Sequence, residues 1–173
     1  MPRNIEIKAR LNDGIDALLA RAAAVAGGTP QIIDQDDSFF RVPHGRLKLR
    51  QFADGTAELI HYQRADTAQA KASDYVRVPA PEPEALREAL ARACSLLGRV
   101  RKRRWLLIVS DGAFSTRIHL DRVEGLGDFM ELEVMLKDEQ TDAQGQAVAE
   151  NLMRQLGLQD APRLAGAYMD MLA

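Results

Sequence analysis

Between Arg117 and Val134 the sequence RIHLDRVEGLGDFMELEV places a cation, a histidine and several carboxylates at alternating positions. With the two-residue period of a strand, Arg117, His119 and Asp121 share one face, and Ile118, Leu120 and Arg122 the other. Glu124-Gly125-Leu126-Gly127-Asp128 reads as a turn. Beyond it Glu131 and Glu133 share a face opposite Met130, Leu132 and Val134. Asp121, Glu131 and Glu133 on adjacent strands form an oxygen-rich set of the kind that holds a hard cation. On this stretch alone the simpler reading is an ordinary antiparallel hairpin with its polar face in water. A matching set of inward-facing cations elsewhere would reverse it.

The rest of the chain supplies such cations. Residues 4–11 alternate strictly, with Asn4, Glu6, Lys8 and Arg10 on one face and Ile5, Ile7, Ala9 and Leu11 on the other. Residues 31–42 read as a second strand, and Pro43-His44-Gly45 turns the chain into Arg46-Leu47-Lys48-Leu49-Arg50-Gln51-Phe52, whose cations line one side. After the Asp54-Gly55 hairpin signal, residues 57–64 place Glu58, Ile60, Tyr62 and Arg64 together. Residues 65–72 read as a mobile loop, and 73–78 as a further strand stopped by Pro79-Ala80-Pro81. In the basic strand of residues 99–110, Lys102 and Arg104 share one face and Arg101, Arg103 and Trp105 the other; Asp111-Gly112 turns it into the opening hairpin.

Helices fill the intervals. Asn12 and Asp13 are N-cap candidates for a helix reaching about Ala26 and ended by Gly27-Gly28. Residues 82–97 read as a second helix and 141–156 as a third, while Pro162 precedes a last amphipathic helix carrying Tyr168. A chain of 173 residues with 46% hydrophobic and 28% charged residues suits one compact domain. A net charge of -2 gives no general footprint for nucleic acid or anionic membrane, so anion binding must be local. Cys94, the lone cysteine, excludes an internal disulfide and a cysteine metal cage. No apolar run approaches a membrane span and no secretory signal opens the chain, so a cytoplasmic protein without membrane partners is expected.

Roughly eight strands joined mostly by short turns suggest an antiparallel sheet that closes on itself, because closure removes exposed edges. The expected class is α+β: an eight-stranded antiparallel β-barrel with flanking helices. Its alternation would send Glu6, Lys8, Lys48, Arg50, Arg64, Lys102, Arg104, Arg117, Glu131 and Glu133 into the lumen. Desolvated charges must be paired or must bind ions. A polyphosphate together with Mg²⁺ or Mn²⁺ would satisfy such a lumen, the cations gripping phosphate oxygens and the carboxylates holding the metal.

Taken together, NIEIKARL, GRLKLR, AELIHYQR followed by SDYVRV, the RKRRW run and HLDRVEGLGDFMELEV resemble the CYTH family, which includes class IV adenylyl cyclases, thiamine triphosphatases and inorganic triphosphatases. The resemblance implies the triphosphate tunnel metalloenzyme fold, with residues 1–173 forming a single such domain and helices of residues 141–173 packed on the barrel. It implies a triphosphate substrate (ATP, thiamine triphosphate or tripolyphosphate) and is compatible with a homodimer. The family's opening Glu-x-Glu-x-Lys motif falls on Asn4, Glu6 and Lys8, so its first Glu is absent. Metal contacts then fall to Glu6, Glu131 and Glu133, with Asp121 a weaker addition. The paired basic residues of the next inward strand correspond to Lys48 and Arg50, with Arg46 nearby. Tyr62 stands where relatives often carry Lys, which leaves Arg64 as a phosphate contact; Lys102, Arg104 and Arg117 fit the remaining basic positions.

The resemblance gives Lys8, Glu6 and Glu133 catalytic roles, Lys8 orienting or activating the nucleophile. A structural salt bridge is the competing role for Lys8. His119 is a second-ranked general base, competing with a hydrogen-bonded wall residue. Tyr168 reads as core packing, with plugging of a tunnel mouth as the alternative. The expected activity is triphosphate hydrolysis or cyclisation of ATP to cyclic AMP and pyrophosphate. A noncatalytic polyphosphate- or nucleotide-binding module is the rival. Nucleic-acid binding through residues 99–104 ranks last, because half of that run should face away from the tunnel.

Overall fold

A computed structural model of the chain describes residues 3–65 and 67–172. Met1, Pro2, Asp66 and Ala173, parts of the expected domain and of the expected 65–72 loop, lie outside the described residues. The strands are β1 (Arg3–Arg10), β2 (Gln31–Phe40), β3 (Arg46–Phe52), β4 (Ala57–Arg64), β5 (Lys71–Pro79), β6 (Leu96–Ser110), β7 (Ser115–Val123) and β8 (Gly127–Leu136). The helices are α1 (Gly14–Ala26), α2 (Pro83–Cys94), α3 (Asp142–Gln155) and α4 (Tyr168–Leu172). Every strand pairing is antiparallel, and the sheet closes in the order β1-β5-β4-β3-β2-β6-β7-β8. β1 and β8 therefore lie across the barrel from β2 and β3.

The outward apolar residues of β1, β3, β4, β7 and β8 are covered by helices. Ile5, Ile7 and Ala9 of β1, Ile118 and Leu120 of β7, and Met130, Leu132 and Val134 of β8 pack in one cluster with Ile15, Leu18 and Ala22 of α1 and Ala149, Leu152 and Met153 of α3. Gly145 lets α3 approach closely, since a Cβ there would sit 2.6 Å from Ile5 Cγ1 and 2.9 Å from Leu136 Cδ2. α2 covers Leu47 and Leu49 of β3 and Leu59 of β4 with Leu86 and Leu90. With the apolar faces of β1, β7 and β8 covered from outside, their alternate residues Glu6, Lys8, Arg117, His119, Glu131 and Glu133 turn into the lumen.

Several expected boundaries move. The second helix stops at Cys94 rather than Leu97, because Ser95 takes a positive φ of 62° and Leu96 already pairs with Phe40. β5 begins at Lys71, inside the expected loop, because Lys71 and Ala72 pair with Glu6 and Ile5. The second strand ends at Phe40, and the last helix is only Tyr168–Leu172.

Neither Asn12 nor Asp13 caps α1 through its side chain. Asp128, from β8, accepts the Ile15 N–H at 3.0 Å and is itself gripped by Arg122 through two 3.0 Å bonds. Asp128→Ala is expected to cost about 1 kcal/mol, the worth of a lost helix cap, measured as a lower midpoint in urea unfolding. Thr141 does cap α3, forming a reciprocal capping box with Gln144. Among the described residues no helix is long and apolar enough to cross a membrane.

Candidate active site

The lumen is a cavity of about 340 Å³ whose walls carry opposite charge patterns. Glu6, Lys8, Lys48, Arg50, Arg64, Lys102, Arg104, Arg117, Glu131 and Glu133 all line it. Arg46 and Asp121, also expected as site residues, do not.

On one wall, β3 and β6 bring Lys48, Arg50, Lys102 and Arg104 together around Asp37 of β2 and Asp121 of β7. Arg50 forks onto Asp37 with two bonds of 2.7 Å, and Lys48 Nζ lies 3.2 Å from the same carboxylate. Arg104 forks onto Asp121 with two bonds of 2.7 Å, and Lys102 Nζ lies 3.6 Å away. Four cations thus surround two anions. Burial pushes both aspartates toward neutrality, but the guanidinium and ammonium groups win and hold each carboxyl well below the usual carboxylate range. The lysines bear the surplus. Burial and the Arg104 guanidinium bring Lys102 down to about 7, and burial and Arg50 bring Lys48 down to about 8.

The opposite wall is acidic. β1 and β8 set Glu6 directly opposite Glu133 and Lys8 opposite Glu131, while Arg117 and His119 of β7 stand against Glu133 and Glu131 from the other side. Glu6 is raised above its ordinary value by burial and then by the charge of Glu131, despite a 2.5 Å pair with Arg64. Glu131 is buried too, yet Lys8, at 3.2 Å, together with His119 and Arg104, holds it ionised. Glu133 has a long 3.7 Å pairing with Arg117, with His119 Nδ1 3.9 Å away. Like charges facing each other across a ladder are destabilising without a counter-ion.

His119 extends this wall. One ligand atom from each of His119, Glu131 and Glu133 lies within 4.8 Å of the others, spacing that fits a divalent cation. Its Nδ1 is 3.6 Å from Glu131 and 3.9 Å from Glu133, too far for a hydrogen bond. Burial and the nearby Arg104 lower its pKa, favouring the neutral ring that a metal would need. Buried side-chain polar atoms without partners are rare in folded proteins. Here Asn4 Oδ1, Gln35 Oε1, Arg64 Nε and His119 Nδ1 are all of this kind, and all four residues line the cavity. Such a concentration marks a place prepared for a polar ligand.

The structure gives two expected site residues other occupations. Asp121, read as an additional metal ligand, is fully buried, with both oxygens taken by Arg104 and one also accepting from the Tyr168 hydroxyl at 2.9 Å. It organises the basic wall. Arg46 pairs with Asp170 at 2.8 Å beside α4, outside the main cavity. Asp37 was not foreseen. Alternation puts it on the face of Ile33, Gln35 and Phe39, but only the β2–β3 and β2–β6 registers bring it between Arg50 and Lys102. Tyr168 packs with Phe129, as the core reading has it, and also lines the cavity.

Comparisons with known proteins agree with this geometry. No curated protein matches the chain. Among solved structures, the PH1012 protein of Pyrococcus horikoshii OT3 superposes with a TM-score of 0.80 at 24% identity, covering 96% of this chain and 98% of its own. A conserved hypothetical protein of Pyrococcus furiosus gives 0.81 at 21% identity, with 96% and 98% coverage. A candidate adenylate cyclase of Vibrio parahaemolyticus gives 0.75 at 21% identity, with 98% and 97% coverage. These likenesses concern the fold, the closed eight-stranded tunnel with flanking helices. The CYTH domain model matches residues 2–168, nearly the whole length. With the model spanning the strands, the inward charges and Tyr168 alike, the chain belongs to the CYTH family.

Proposed function

We propose that the protein is a metal-dependent enzyme acting on a triphosphate inside the tunnel. The observation that carries this reading is the charge arrangement: four cations, Lys102 and Arg104 buried and Lys48 and Arg50 largely so, around two aspartates on one wall, facing Glu6, Glu131 and Glu133 on the other. A polyanion and a divalent cation would relieve both imbalances at once. Arg50, Arg104, Lys48 and Lys102 would bind phosphate oxygens, the guanidinium forks already oriented by Asp37 and Asp121. Arg64 and Arg117, at the border of the two walls, would take the remaining oxygens.

Glu131 and Glu133, with Glu6 and His119 Nδ1 beside them, would hold Mg²⁺ or Mn²⁺, which when bound would neutralise charge developing on the phosphate oxygens. Lys8, buried against Glu131, would orient the nucleophile: water in a hydrolase, the ribose 3′-hydroxyl in a cyclase. The walls themselves mostly position and stabilise, which suffices for phosphoryl transfer.

The deciding experiment incubates the protein with Mg²⁺ or Mn²⁺ and, separately, ATP, thiamine triphosphate and tripolyphosphate. Cyclic AMP with pyrophosphate identifies a cyclase, and free phosphate identifies a hydrolase. Tight binding without turnover under either metal would replace the enzyme reading with a noncatalytic polyphosphate-binding module.

The depressed lysines make a further prediction. Both have folded pKa values below the unfolded one, so the ligand-free protein gains stability from them as pH rises from about 7 to about 10. A bound polyanion favours the charged lysines. Tripolyphosphate binding at about pH 8 is therefore expected to take up protons, and at about pH 6, where both lysines are already charged, this uptake should vanish. Calorimetric titration in two buffers of different ionisation enthalpy reads it directly; net proton release at pH 8 would contradict it.

A further inference from the structure

The chain beyond α3 returns to the tunnel along β1. Arg10 N–H donates to Pro162 O at 3.1 Å, Leu164 N–H donates to Lys8 O at 3.0 Å, and Ala9 bridges to Arg163. This short pairing delivers Gly166 and Tyr168 to the end of the lumen. There Lys8 Nζ has three neighbours: Glu131 Oε2 at 3.2 Å, Gly166 O at 3.5 Å and the Tyr168 ring, whose centroid is 4.1 Å away. The same ring lies 5.0 Å from Lys102 Nζ on the basic wall, and its hydroxyl donates to Asp121, the anion that orients Arg104.

A residue that merely filled this end would need no hydroxyl, and its ring would not be met by a cation from each wall. We propose that Tyr168 is a positioning residue of the tunnel: its ring fixes Lys8 against Glu131, and its hydroxyl fixes Asp121 and so the fork of Arg104. This rests on the triphosphate reading above. It separates the two parts of one side chain, the ring serving the group that orients the nucleophile and the hydroxyl serving a group that binds phosphate. Tyr168 and Lys8 are both nearly fully buried, so water does not substitute for the ring.

Two substitutions separate these parts. Tyr168→Phe keeps the ring and deletes the hydroxyl, and is expected to raise KM about threefold or more with kcat within about twofold. Tyr168→Leu deletes both, and kcat should fall about tenfold in addition, the factor that loss of a desolvated cation–π contact supplies. A kcat unchanged in the leucine variant, or lost equally in both variants, overturns the proposal, as does an unchanged KM in the phenylalanine variant. Should the leucine variant not fold, the Lys8 Cε proton resonance decides, assigned by its disappearance in Lys8→Arg. An upfield ring-current position, kept in Tyr168→Phe, supports the proposal, and an ordinary position overturns it. A native protein that turns over no triphosphate overturns the enzyme reading and this inference with it; an active one that fails these tests overturns this inference alone.

Discussion

Glu133→Gln is expected to lower triphosphate turnover by about 100-fold or more, the scale of losing one pre-oriented charge in a water-excluded site, with the fold intact. The substitution is nearly isosteric. Glu133 has the weakest pairing on the acidic wall, 3.7 Å to a one-third-exposed Arg117, so the amide strands no buried cation. Glu131→Gln is a less clean probe, because it leaves the buried Lys8 ammonium without its anion and mixes a stability loss with a functional one. The expected signature of Glu133→Gln is a higher Mn²⁺ concentration for half-maximal activity. Metal-free tripolyphosphate binding should be unchanged or tighter, since a negative charge has left the lumen. Circular dichroism checks the fold. Native turnover in the variant would remove Glu133 from the metal site, and weakened metal-free anion binding would point to a role in holding the phosphates.

Asp121→Asn should act on stability. Asp121 is the anion of a cluster that includes Arg104 and Lys102, all three nearly or wholly buried. Removing its charge leaves two cations uncompensated, which costs about 3–5 kcal/mol. For a chain of this length each kcal/mol lowers Tm by about 2–4 °C, so a fall of roughly 10 °C is expected. The pH dependence follows from the sign of the shift. The folded pKa of Asp121 is depressed, so its contribution is complete above the usual carboxylate range and fades only as pH falls through the folded value. The difference between native and variant Tm should therefore be largest near pH 5, decline as pH rises through about 7, where Lys102 loses the charge that Asp121 compensates, and narrow again in stronger acid. Tripolyphosphate should restore part of the loss, about 2.7 kcal/mol at a hundred times its Kd. A Tm unchanged on substitution would contradict the organising role assigned to Asp121.

The charged lumen was legible in the sequence because side chains alternate strictly along a strand, and the family through the resemblance that these motifs carry together. In HLDRVEGLGDFMELEV that period puts Glu131 and Glu133 opposite Met130, Leu132 and Val134, and in the RKRRW run it separates Lys102 and Arg104 from Arg101 and Arg103. Both separations are present in the barrel, where the second pair of arginines is exposed and meets Asp36 and Asp34 on the outside. The roles of individual acids were much less legible. Asp121 and Glu131 have the same parity and similar sequence surroundings, yet one is locked in a double arginine fork and the other faces Lys8 and His119.

That difference depends on register and closure, and the energy of a buried charge is set by neighbours distant in sequence. Asp37 reaches Arg50 through the β2–β3 ladder and feels Lys102 through β2–β6. Asp128 caps a helix more than a hundred residues away, and Tyr168 meets Lys8 only because the C-terminal segment returns along β1. The sequence by itself determined which residues turn inward, because alternation is a local property of the extended chain. Only the tertiary structure decided which of those charges neutralise one another and which remain for a ligand, because that depends on distances across a closed barrel.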